Sequence, residues 1–314
     1  MQTSRAARPC DVLVVGAYFT DLVFHGLPQP VRPGGEVFAD GFAVVPGGAY
    51  TVAMSMHRLG HRVLWSADFG TDPFSAQVLS CARQEGLDEA AFRHHPFPVR
   101  SLTVALSFAA DRAMVSYQDP VDPEPLVPLL RRYRPRVLML PQLRWDDDAI
   151  AAMRVARQLG TLTVMDCHDT PATLDEPAVR RALALVDVFA PNTAETLHLT
   201  GATDLDEAMT ELAELVPMLV VKRGADGATA VHEGKRHDAP APQVDTVDTT
   251  GAGDCFNSGL VHGLLEGWSM PDCLAAAVIC GAAATTGPGS GAALRAQDLA
   301  HRLTRTPEPP QCPD

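Results

Sequence analysis

The residues best suited to chemistry lie in one short run, Asp248-Thr249-Thr250-Gly251-Ala252-Gly253-Asp254, followed at once by the apolar stretch CFNSGL. Small residues let the main chain approach a ligand and turn several N–H groups the same way. A helix starting there adds partial positive charge at its N-terminus. Together they make an anion hole for a phosphate that gathers charge during transfer. Asp254 stands at its mouth, where a carboxylate can accept the proton of an attacking hydroxyl. Asp248 has two open readings: its oxygens face a cation, or they fix the loop. The plain structural alternative for the whole run is a glycine turn before a helix.

Such a hole needs a strand before it and a helix after it. Beyond the carboxyl ends of a doubly wound sheet is where ligands bind. The chain supplies this frame. DVLVVGAY (11–18) reads as a first buried strand. AYTVAMSMHRLG reads as a helix closed by Gly60. DPFSAQVLSCARQEG reads as a helix with Asp72 as N-cap, Pro73 in its first turn and Gly86 as terminator. Strands RVLMLP, LTVMD, VDVFAPN and MLVVKRG then alternate with helices, and two apolar helices follow residue 250. The pattern predicts one α/β domain over 1–314: a doubly wound, mainly parallel sheet flanked by helices. Two β-rich insertions, about 18–46 and 98–118, carry too little apolar mass to fold alone. They should pair as a small sheet. The Pro-rich end, 306–314, reads as a disordered tail.

The totals narrow the field. The 314 residues carry a net charge of −13, which argues against nucleic acid as a partner. No apolar run approaches the ~20 residues of a membrane span, and MQTSRAARPC lacks the apolar core of a signal peptide. Seven scattered cysteines without a C-x-x-C pair suggest neither disulfides nor a zinc site and fit a reducing cytoplasm. Of two lysines, Lys222 ends an apolar strand; it either reaches a phosphate or is a solvated strand end. Arg100 and Arg112 read as anion contacts or as solvated hairpin arginines, and His94-His95 as a loop pair.

VDTTGAGDCFNSGL resembles the C-terminal signature of the PfkB (ribokinase-like) family of carbohydrate and nucleoside kinases. PGGAYTVAMSMHRLG (46–60) is similar to its Gly-Gly signature, PNTAE (191–195) to its N-x-x-E motif, VVKRGADG (220–227) to its nucleotide-site turn, and TTGPGS (285–290) to its adenine and cation loop. The resemblance implies an ATP-dependent kinase with Asp254 as base and Gly251, Ala252 and Gly253 as anion hole. It implies that Asn192 and Glu195 organise Mg²⁺ through water. Alone, PNTAE reads equally as a capped helix start. The resemblance further implies nucleotide contacts at Lys222, Gly224, Gly227, Thr249 and Gly289, and a monovalent cation, K⁺, near Asp248, Thr250, Gly289 and Ser290. Asp21, Gly47, Gly48 and Thr51 would hold a sugar or nucleoside acceptor. The β insertions would act as a lid and offer an edge for a homodimer.

The chain departs from the family at two places. Thr51 stands where an Asn is usual, and MDCHD replaces the frequent Asp-Pro-Asn, putting His168 or Asp169 at the Asn position. Both bear on the acceptor more than on phosphate transfer. Rival readings are weaker. VVGAYFTD lacks the G-x-G-x-x-G of a dinucleotide enzyme, and no P-loop motif occurs. A non-catalytic sugar or nucleoside sensor on the same fold remains an alternative that ATP turnover would separate.

Overall fold

The computed structural model describes residues 10–108 and 112–304, with Arg112 described by its backbone alone. The expected tail at 306–314 and the Arg112 side chain lie outside the described residues.

Strand β1 (Val12–Val15) shows why the sheet is covered on both sides. Val12 and Val14 pack into one hydrophobic layer and Leu13 into the other, all fully buried. Strands β2 (Tyr18–Leu27) and β3 (Gly41–Gly48) then leave the main sheet. Helix α1 (Ala49–Arg58) returns the chain to β4 (Val63–Phe69). Helix α2 (Pro73–Glu85) has the expected ends: Asp72 accepts from Phe74 N and Ser75 N, Pro73 is in the first turn, and Gly86 closes it left-handed.

Strand β5 (Phe92–His94) pairs with β4, and the hairpin of β6 (Ser101–Phe108) and β7 (Arg112–Gln118) follows. The alternating half then runs α3 (Leu126–Tyr133), β8 (Val137–Leu140), α4 (Asp147–Leu159), β9 (Leu162–Met165), α5 (Pro177–Leu183), β10 (Val188–Phe189), α6 (Thr193–Thr200), α7 (Leu205–Leu215) and β11 (Met218–Lys222). The chain closes with strands β12 (Ala228–His232) and β13 (Lys235–Ala239) and helices α8 (Ala252–Glu266), α9 (Met270–Ala284) and α10 (Ala296–Leu303).

The large sheet has the order β13-β12-β11-β10-β9-β8-β1-β4-β5. Its strands are parallel except β12 and β13. The second sheet, β3-β2-β6-β7, contains the two predicted insertions, joined by the parallel pairing of β2 with β6. Each alone would expose a ladder edge; together they bury one. No helix among the described residues is long and apolar enough to cross a membrane.

Candidate active site

The carboxyl ends of β9, β10 and β11 meet the N-terminus of α8. Gly251 is left-handed at φ 74° and caps α8, which places Asp254 in its first turn. Ala252 N donates to Thr249 O at 3.3 Å, so that amide is partly engaged. The Gly253 and Asp254 amides have no acceptor among the described residues. The Gly251 amide has no acceptor there either, so of the expected 251–253 set only the Ala252 amide is engaged.

The Asp254 carboxylate likewise accepts no hydrogen bond among the described residues. Burial pushes its carboxyl up to about 7; Asp166 and Asp21 add to this, and Lys222 opposes it. A carboxylate held in that range is suited to proton transfer near neutrality.

Lys222 ends β11 and is not a solvated strand end. Its Nζ lies 2.5 Å from Asp166 Oδ2, with both side chains largely buried. The same ammonium would lie 3.5 Å from a Cβ at Gly253, so it borders the anion hole. Asn257, one turn beyond Asp254, donates from Nδ2 to Asp166 Oδ2 at 2.5 Å. Sequence reasoning missed Asp166 and Asn257 as site residues. The signal for Asp166 was a carboxylate directly after the buried strand LTVM.

Asn192 and Glu195 form a full capping box at the start of α6: Glu195 N donates to Asn192 Oδ1 at 2.9 Å and Asn192 N to Glu195 Oε2 at 2.7 Å. The helix-start reading therefore describes their geometry. Glu195 nevertheless keeps Oε1 without a partner among the described residues. Burial, then Asp166, raises its carboxyl above the ordinary range, with Lys222 opposing. The cluster of carboxyls has one nearby cation, a donor set that suits a divalent ion.

Asp248 fixes its loop. Oδ1 accepts Thr250 N at 2.9 Å and Thr250 Oγ1 at 2.8 Å, and Oδ2 accepts Gly289 N at 2.8 Å. The 248–250 and 285–290 segments are thereby tied together. Ser290 Oγ bonds Thr51 Oγ1 at 3.2 Å, and a Cβ at Gly251 would meet both residues at 3.1 Å. Thr51 is thus buried behind the anion hole. Gly224 opens to free space, whereas the space beside Gly227 is filled by Ala239 O. Gly227, at φ 90°, closes the turn between β11 and β12 and packs against the end of β13.

The opposite wall belongs to the small sheet. Asp21 on β2 is 6% exposed, and a Cβ at Gly47 would overlap its Oδ2. Burial pushes Asp21 up to about 6; a hydrogen bond from Thr103 pulls it back and Asp248 pushes it further. Thr103, paired with Asp21 across β2 and β6, was not anticipated. Gly48, at φ 64°, caps α1. Arg100 bonds Asp119 through two nitrogens at 2.8 and 2.9 Å, which is the solvated-hairpin reading. His94 ends β5 rather than sitting in a loop, and His95 bonds Asp68 at 2.7 Å. His168, in the altered MDCHD segment, is exposed and left-handed at φ 57°. A cavity of about 170 Å³ lies beside the site between Val45, Tyr50, Glu85 and Ser290, away from Asp254.

A doubly wound sheet with a four-stranded flap, and a Gly-Ala-Gly-Asp helix start beyond its carboxyl ends, define the ribokinase-like class. The chain belongs to that class as a pfkB family carbohydrate kinase, matched over residues 11–297. It is 30% identical over 276 residues to a fructokinase of Klebsiella pneumoniae, covering 81% of this chain and 90% of that protein. The structure of a putative ribokinase II (apo form) from E. coli superposes with a TM-score of 0.79 at 21% identity, covering 94% of this chain and 99% of that one. Arabidopsis thaliana ribokinase complexed with ribose and ATP gives 0.76 at 18% identity, covering 95% and 99%. The fold and the family expectation are thus borne out, and the chain is a kinase of the carbohydrate or nucleoside type.

Proposed function

We propose that the protein transfers the γ-phosphate of ATP to a hydroxyl of a sugar or sugar derivative, with Asp254 as base. The observation that carries this is a pair of carboxyls, Asp21 buried on the flap and Asp254 half-buried at the helix start, both pushed up into the range of about 6 to 7 by burial. The charge of Asp21 on the flap adds to the raising of Asp254 at the helix start, and no positive side chain from the flap separates them among the described contacts. Asp21, with two acceptor oxygens, suits a vicinal diol. Gly47 and Gly48 let the flap strand close against it, while Thr51 shapes the wall behind.

Asp254 takes the hydroxyl proton as the oxygen attacks the γ-phosphorus in line and ADP leaves. The amides at 251–254 and Lys222 receive the charge on the transferred group. Gly224, Gly227, Thr249 and Gly289 border the nucleotide, Gly227 through its turn. Asn192 and Glu195, with Asp166 beside them, would hold Mg²⁺ through water, where the ion supplies positive charge to the phosphates. Carbonyls near Asp248, Thr250, Gly289 and Ser290 would hold K⁺.

Exposed Phe42, Val44, Met114, Val115 and Tyr117 on the small sheet support a homodimer through the lid. Sedimentation at several concentrations tests it; a monomer throughout removes the dimer. The six described cysteines are free thiols, which suits the cytoplasm.

The test of function is coupled ADP release against a panel of sugars, sugar phosphates and nucleosides. Turnover with a sugar supports the reading, and turnover with nucleosides alone makes the protein a nucleoside kinase. Acceptor binding without ATP turnover leaves the sensor reading.

A further inference from the structure

At the far end of α8 from Asp254, two histidines and a glutamate converge. His61 follows the C-terminus of α1, and His262 and Glu266 sit one turn apart in the last turns of α8. His61 Nε2 and His262 Nδ1 are 2.8 Å apart, and one ligand atom from each of the three residues lies within 4.8 Å of the others. The pair is removed from the kinase centre: His262 is eight residues along the helix from Asp254, about 12 Å of rise.

The surroundings keep both rings available as ligands. Burial lowers both imidazoles, His61 to about 4 with His262 reinforcing the shift. The charged neighbours are mixed. Asp11 and Glu266 face the pair as anions, and Arg136 faces it as a cation that donates to Leu265 O at 2.8 Å. The C-terminal end of α8 adds partial negative charge. Trp268 packs edge-on against His262 with centroids 5.1 Å apart, closing one side. Glu266 is exposed, so the cluster is open to solvent on the other.

We propose that His61, His262 and Glu266 bind one Zn²⁺ ion, with solvent as fourth ligand. Two imidazoles and one carboxylate are a zinc-type donor set. Tetrahedral Zn–N bonds of about 2.05 Å place cis nitrogens roughly 3.3 Å apart, so the rings need separate by only about half an ångström. The ion replaces the single hydrogen bond between the rings and joins the ends of α1 and α8.

The test uses chelator-stripped, full-length protein titrated calorimetrically with Zn²⁺ alone, with bound metal counted after desalting. The wild type and Asp166→Asn, which alters the candidate Mg²⁺ region, should each retain one Zn²⁺ that His61→Gln and His262→Gln lose. Zinc should also change Trp268 fluorescence in the wild type but not in Trp268→Phe. If the histidine variants fold poorly, Glu266→Gln at the exposed position serves instead, with affinity falling about tenfold or more. No zinc uptake by the wild type, or uptake unchanged in these variants, overturns the proposal.

Discussion

Lys222 Nζ and Asp166 Oδ2 stand 2.5 Å apart at the carboxyl ends of β11 and β9, with β10 between them, and Asn257 binds the same oxygen from α8. The contact joins β9, β11 and the helix that carries Asp254. Its side chains are 13% and 9% exposed, so solvent screens it little. Removing one partner leaves a largely buried ion. Asp166→Ala should therefore cost about 3–5 kcal/mol in urea unfolding. A loss under about 1 kcal/mol would place the pair with ordinary surface ion pairs.

Asp254 gives a pH signature. A base raised to about 7 should make kcat/KM climb as pH passes through that value and then level off. Asp254→Asn should lower kcat about 10²–10⁴-fold and abolish the climb. Stability runs the other way. The folded carboxyl holds its proton above the unfolded value near 3.8, so the fold binds more protons between there and about 7. Stability should fall by up to about 1.4 kcal/mol per pH unit across that window. The Asn variant should lose this slope, and an identical slope in both proteins removes Asp254 as its source.

Gly47 and Asp21 supply an acceptor-side test. A methyl group at Gly47 would occupy the position of an Asp21 carboxylate oxygen. Gly47→Ala should raise the acceptor KM at least tenfold while the KM for ATP stays within about twofold, in line with lost acceptor positioning. Asp21→Asn should show the same split. Equal changes in both constants would point to a general distortion.

Thr51, standing where the family usually has Asn, bonds Ser290 Oγ at 3.2 Å. Thr51→Val leaves Ser290 Oγ unsatisfied and should cost about 1–3 kcal/mol. Ser290→Ala combined with it should cost less than the sum of the singles, as expected for two ends of one bond. Strict additivity in a thermal melt would show that the two hydroxyls do not interact.

The sheet, the α2 cap and the turn entering α8 were legible because each is written in contiguous residues. Asp72, Pro73 and Gly86 spell the two ends of α2 locally, and Gly251 to Asp254 spell a turn entering a helix. Helices α3 and α7 escaped notice: LVPLLRRY carries an internal Pro and no side-chain cap, and LDEAMTELAEL follows α6 after a short break, so its Asp204 cap and buried Ala208, Met209 and Leu212 were not singled out. Asp166, Asn257 and Thr103 were invisible as site residues for another reason. Their partners lie 56, 91 and 82 positions away, and only the folded sheet joins them. Glu195 illustrates the reverse case: one side chain can both close a helix and stand beside a carboxyl cluster, so two sequence readings coexist.

Val45 of the flap rests where Gly289 would carry a side chain, 2.8 Å from that vacant Cβ position, and Asp248 grips the Gly289 amide. The strand bearing Gly47 is therefore geared to the segment leading into Gly251. Any outward swing of the flap would have to draw Val45 off Gly289, so a displacement on the Gly47 side would be felt by the segment that Asp248 holds.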